Sequence, residues 1–104
     1  MTFGQAIRER RKSRNIQLKD LAARVIREDK QPISFQYLSD LEHDRRPAPS
    51  DHIIDELARE LKLSRSYLYL LARRLPSDFT PPSSENAADA AYEALLDTVE
   101  SFAA

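Results

Sequence analysis

Apolar residues recur along this chain at helical spacing, in short stretches of which four begin at a capping residue. Thr2 precedes Phe3 and Ile7, and Gln5 follows Thr2 by three residues, which is capping-box form. The pattern predicts a first helix to about Asn15. Ile16, Leu18, Leu21, Ala22 and Val25 predict a second, starting at Gln17 or Leu18. Ile26 keeps the period, so this helix is expected to reach about Glu28. Gln31 stands before Pro32 and is biased away from helix. Ser34 then caps a third helix to about His43. Leu38 and Leu41 share one side of it, with Tyr37 beside them, while Phe35, Gln36, Ser39, Asp40 and His43 fall on the other. Asp44 sits where a helix exit often needs a left-handed residue. Ser50 caps a fourth helix with the stripe Ile53, Ile54, Leu57, Ala58 and Leu61. Ser64 caps a fifth, which carries Tyr67, Leu68, Leu70 and Leu71 and ends near Leu75.

The texture changes at Pro76. Residues 76–86 are rich in Pro and Ser, with Pro81 and Pro82 adjacent, and read as a stiff linker. Residues 87–104 read as a sixth, amphipathic helix with Ala88, Tyr92, Leu95, Leu96, Val99 and Phe102 along one side. The expected fold is all-α, with a five-helix unit over residues 1–75. A lone helix of this length is marginal in water, so the sixth needs a surface to cover. Pairing with its twin, packing on the fifth helix of a partner, and folding back on its own body all remain open.

Composition narrows the class. The single glycine argues against phosphate-cradling loops and turn-dense β structure. The absence of cysteine excludes disulfides and thiolate metal sites, and fits a reducing cytosol. No apolar run approaches the roughly 20 residues a membrane span needs, and Met1-Thr2-Phe3-Gly4-Gln5 lacks a signal-peptide pattern. His43 and His52 stand nine apart, which is not a metal-pair spacing, and no catalytic arrangement stands out. No enzyme activity, metal or cofactor is expected. All 16 Lys and Arg lie between Arg8 and Arg74, where they outnumber the 11 acids up to Pro76 by 5. The segment beyond carries six acids and no base. A basic body with an acidic tail points to a polyanionic partner for the body.

A helix with one buried face and short polar groups on the other suits insertion into a DNA major groove. The ordered set Phe3-Gly4-Gln5-Ala6-Ile7-Arg8 with Arg11, Leu21-Ala22, Ile33-Ser34 and Tyr37-Leu38-Ser39-Asp40-Leu41-Glu42 resembles the lambda-repressor and Cro-like helix-turn-helix family, also called the xenobiotic-response-element family. Arg45-Arg46, Pro49-Ser50, Leu57-Ala58, Leu61 and Tyr67-Leu68 complete the likeness, which covers roughly residues 2–75. There are departures. Residues 26–32 replace the family's tight turn, Asp44 its frequent glycine after the third helix, and Leu18 and Phe35 two common glutamines.

The resemblance implies a cytoplasmic, nucleoid-associated transcriptional regulator of bacterial or phage type. Its expected mode is repression, with a homodimer bound to an inverted-repeat operator in double-stranded DNA. Phe35, Gln36, Ser39 and Asp40 match the base-reading positions. Gln36 suits an adenine edge, Asp40 a cytosine amine and Phe35 a thymine methyl. Asp40 can instead pair with Arg45 or cap its own helix. Lys19, His43, Arg45, Arg46 and Ser50 are expected at phosphates, and Glu42 beside Arg8 or Arg11 of the first helix. Tyr92, Leu95, Leu96, Val99 and Phe102 are the expected dimer contacts. Two other readings keep the fold: a protein-interaction module with weak or no DNA binding, and an antitoxin whose acidic tail covers a small basic toxin.

Overall fold

The computed structural model describes the backbone of residues 1–103 and the side chains of residues 1–97. The described residues form α1 (Phe3–Ser13), α2 (Leu18–Arg24), α3 (Phe35–Glu42), α4 (Asp51–Leu61), α5 (Arg65–Leu71) and α6 (Glu85–Ala103). The all-α expectation holds. The caps act as their spacing predicts: Thr2, Ser34, Ser50 and Ser64 each accept from the amide three residues on. Each such cap contributes about 1 kcal/mol. Thr2 and Gln5 complete the reciprocal box.

The core is a single cluster with α1 central, packed on α3, α4 and α5, while α2 packs on α3. Ile7, Leu21, Leu38, Ile54, Leu57, Leu61 and Leu68 are fully buried in it. Each contributes about 1.5–3 kcal/mol by leaving water.

Helix α2 ends at Arg24, not near Glu28. Val25 turns to extended geometry and its carbonyl accepts from Ile33 N–H at 2.9 Å. Ile26 and Pro32 form an isolated antiparallel bridge, and Lys30 takes a left-handed φ of 72° at the tip. The connection is thus a small hairpin. It buries both Val25 and Ile33, which a continued helix would separate. His52 fastens it to α4, its Nε2 lying 2.8 Å from the Ile26 carbonyl.

Helix α5 also differs from its pattern. Leu68 and Tyr69 are the buried pair, while Tyr67 and Leu70 are exposed. Tyr69 can turn inward because its hydroxyl donates to Asp55 Oδ1 at 3.1 Å. Beyond α5, the chain stays on the body for a few residues. Ser77 N–H donates to Asp51 at 2.8 Å, and Asp78 meets Arg65 at 3.3 Å. Helix α6 then starts at Glu85, its first turn capped by Ser84. Tyr92, Leu95 and Leu96 are 61%, 40% and 37% exposed, so the body does not bury this stripe. The side chains of Val99 and Phe102 lie outside the described residues.

Candidate nucleic-acid interface

Helix α3 is held from behind by a buried ion pair. Glu42 is 1% exposed, and its two oxygens accept from Arg11 Nε at 2.6 Å and from the Arg11 Nη2 at 3.0 Å. Arg11 rather than Arg8 is therefore the partner. Its remaining nitrogen donates to the Ile16 carbonyl, tying the start of the α1–α2 turn into the same network. Arg10 donates to the carbonyls of Leu61 and Lys62 and so closes the end of α4. Two members of the basic run on α1 are thus structural.

The other face of α3 is open. Phe35 is 55% exposed and Gln36 is exposed, whereas Ser39 and Asp40 are half-buried. His43 ends the helix with Nδ1 donating to the Ser39 carbonyl at 2.8 Å. Arg45 and Arg46 follow directly and are more than half exposed. Lys19 is exposed in the first turn of α2 and Ser50 is exposed at the start of α4.

Asp40 organises this face. Its Oδ1 accepts from Gln36 Nε2 and from Arg45 Nε, each at 3.0 Å. Its Oδ2 lies 3.8 Å from Arg46 Nε. The hydrogen bonds from Arg45 and Gln36 hold its carboxyl below the ordinary carboxylate value. Sequence alone left open whether Asp40 faces a base or an arginine. In the free protein it takes the arginines.

Two features were not legible in the sequence. Arg46 lies over the Tyr37 ring at 5.4 Å, a cation–π contact that aims the guanidinium. Tyr37 is therefore only partly core. The second is a cleft of about 410 Å³ bounded by Arg27, Ile33, Ser34, Tyr37, Arg46 and Ile53. It exists because the hairpin brings Arg27 beside the start of α3; as a residue of a longer α2, Arg27 gave no such signal. Arg27 itself pairs with Asp29.

The order of α2, connection and α3, with α3 presenting a polar face and a basic edge, is a helix-turn-helix arrangement. A helix-turn-helix family model matches residues 7–68, well over half of the chain. The chain belongs to the lambda-repressor/Cro-like helix-turn-helix family.

This helix-turn-helix protein is accordingly a DNA-binding transcriptional regulator, in a family that is typically non-enzymatic. No curated protein matches it. Within the family pattern, α3 stands at the position of the recognition helix and α2 at that of the supporting one. The hairpin at residues 26–32 stands where relatives have a tight turn. The buried Val25 and Ile33 do the work of that turn, fixing α2 against α3 by packing and a backbone hydrogen bond. Among the described residues, no cluster of His, Cys, Asp or Glu fits a metal ion. No described helix is long and apolar enough to cross a membrane.

Proposed function

We propose that the protein is a sequence-specific repressor. It works in the cytoplasm on the nucleoid and binds an inverted-repeat operator as a homodimer. Helix α3 enters the major groove of each half-site, where Phe35, Gln36, Ser39 and Asp40 read base edges. Lys19, His43, Arg45, Arg46 and Ser50 hold phosphates and set register and affinity. The observation that carries this reading is the two-sided α3. Its back is locked by the Arg11–Glu42 pair, and its front offers Gln36 beside two exposed arginines. A fixed reading face next to exposed cations is what base discrimination and phosphate anchoring require.

One module makes few base contacts, so a two-fold dimer spanning about one helical turn of DNA supplies the rest. The apolar stripe of α6 serves as the dimer contact, with Tyr92, Leu95 and Leu96 exposed and Val99 and Phe102 continuing the same sequence spacing. Its acids and lack of bases suit it to assembly rather than to DNA. The same acidic, apolar helix favours a second reading, an antitoxin that covers a small basic protein.

Random-site selection on duplex DNA with the full chain tests the proposal. Enrichment of an inverted repeat is the expected result. No enrichment, with a small basic protein co-purifying instead, overturns it in favour of the second reading.

A further inference from the structure

We propose that Asp40 couples base reading to phosphate binding. It holds Gln36, Arg45 and Arg46 in the free protein, and it yields them fully only where a cytosine amine replaces them as donor. This rests on the groove-binding reading above and adds a specificity device to it.

The geometry makes Asp40 a shared acceptor for both kinds of contact. One oxygen serves the base reader Gln36 and the phosphate ligand Arg45 together, and the other faces Arg46. Arg45 Nη2 also donates to Ser39 at 3.4 Å, so the cluster takes in the polar residues of the reading face, Gln36, Ser39 and Asp40. Asp40 is only 16% exposed beneath two arginines that are 53% and 57% exposed. Arg45 N–H donates to the Asp40 carbonyl at 2.8 Å, which fixes the backbone. A swing toward phosphate thus needs side-chain rotation alone. Tyr37 remains under Arg46 as a platform.

The consequence follows from charge. On a random duplex, pulling both arginines to phosphates strips Asp40 of its two cations and leaves a carboxylate held by Gln36 alone beside a polyanion. The arginines therefore stay divided between the two, and non-specific binding is weak. A cytosine N4 amino group restores a donor to Asp40. Both arginines are then released to the backbone, and Gln36 to the neighbouring base. Discrimination arises from penalising wrong sites as much as from rewarding the right one.

The test uses the full chain, the duplex recovered by selection, and a scrambled duplex of equal length. Affinities are measured from about 50 to 200 mM salt, where phosphate contacts dominate the slope. Wild type is compared with Asp40→Asn and with Asp20→Asn, an equal charge change on α2. Asp40→Asn is expected to tighten scrambled binding by about tenfold while specific binding stays level or falls. Its salt slope on the scrambled duplex steepens by about 1–2. Asp20→Asn shifts both duplexes by one common factor. In Asp40→Asn/Arg45→Gln about one unit of the gained slope disappears. The proposal is overturned if Asp40→Asn behaves as Asp20→Asn does, or if its slope on the scrambled duplex matches wild type. A wild type with no preferred duplex fails earlier, at the groove-binding reading itself, before any variant is compared. Circular dichroism and melting of each variant distinguish lost fold from lost coupling.

Discussion

Gly4 and Asp44 meet across the seam between the first and third helices. The Gly4 N–H donates to Asp44 Oδ1 at 3.0 Å, and the Thr2 hydroxyl donates to Oδ2 at 2.5 Å. Asp44 reaches this position because it adopts a left-handed φ of 56° just past α3. Its carboxylate then sits at the positive end of the α1 dipole. The approach is so close that a Cβ on Gly4 would lie 2.3 Å from the Leu41 carbonyl oxygen and 2.7 Å from that of Glu42. Both obstacles are backbone and cannot rotate away. Gly4→Ala is therefore expected to destabilise the body by about 1–3 kcal/mol. Asp44→Ala, which also leaves two donors without their acceptor, should cost about 1–2 kcal/mol. Urea unfolding followed by circular dichroism measures both.

The Arg11–Glu42 pair is a positioning device for α3. Removing one partner strands the other, so Glu42→Ala should lower stability by about 3–5 kcal/mol. The same variant is expected to lose DNA affinity even below its melting temperature, because the helix loses its rear anchor. A variant that melts as wild type does would show that the pair is dispensable.

The Asp40 carboxyl is held down by Arg45 first and Gln36 second. Its folded pKa lies below the ordinary 3.8, so the linked stabilisation is present above about that pH. It is lost as pH falls through the depressed folded value. Carbon-13 titration of the Asp40 carboxyl should give a midpoint below 3.8 in wild type. Arg45→Ala is expected to raise it, and Gln36→Ala to raise it less. An unchanged midpoint in Arg45→Ala would mean that the pair does not persist in solution.

The exposed stripe of α6 predicts how the chain assembles. Leu95→Glu puts a charge into the apolar side of a helix that already lacks bases. It should convert dimer to monomer by light scattering and weaken operator binding by well over tenfold at nanomolar protein. Body melting measured on the monomer should stay within about 0.5 kcal/mol of wild type, since the stripe is not part of the core. Retention of the dimer would move the interface to another surface.

Much of the fold was legible because it is written locally. Caps and stripes depend on spacings of three and four residues, so Thr2, Ser34, Ser50 and Ser64 mark four helix starts correctly. The same spacing separates the buried from the open side of α3, and a left-handed Asp44 follows from where α3 must stop. The ordered set of residues also sufficed to indicate the helix-turn-helix family, since the match spans residues 7–68.

Tertiary structure decided the rest, wherever two locally equal options compete. Ile26 fits a longer α2 as well as a hairpin; the hairpin wins because it buries Val25 and Ile33 together. Tyr69 and Leu70 are both apolar neighbours on α5, and Tyr69 turns inward because Asp55 stands ready for its hydroxyl. Arg8 and Arg11 were equal candidates for Glu42 until the crossing of α1 and α3 chose Arg11. The front face shows the same division. Sequence named Gln36, Arg45 and Arg46 as reader and anchors, and left Asp40 open between a base, Arg45 and its own helix end. Only the turn after α3 folds the arginines back onto Asp40, because ion pairing needs side chains within a few ångströms and no sequence spacing guarantees that.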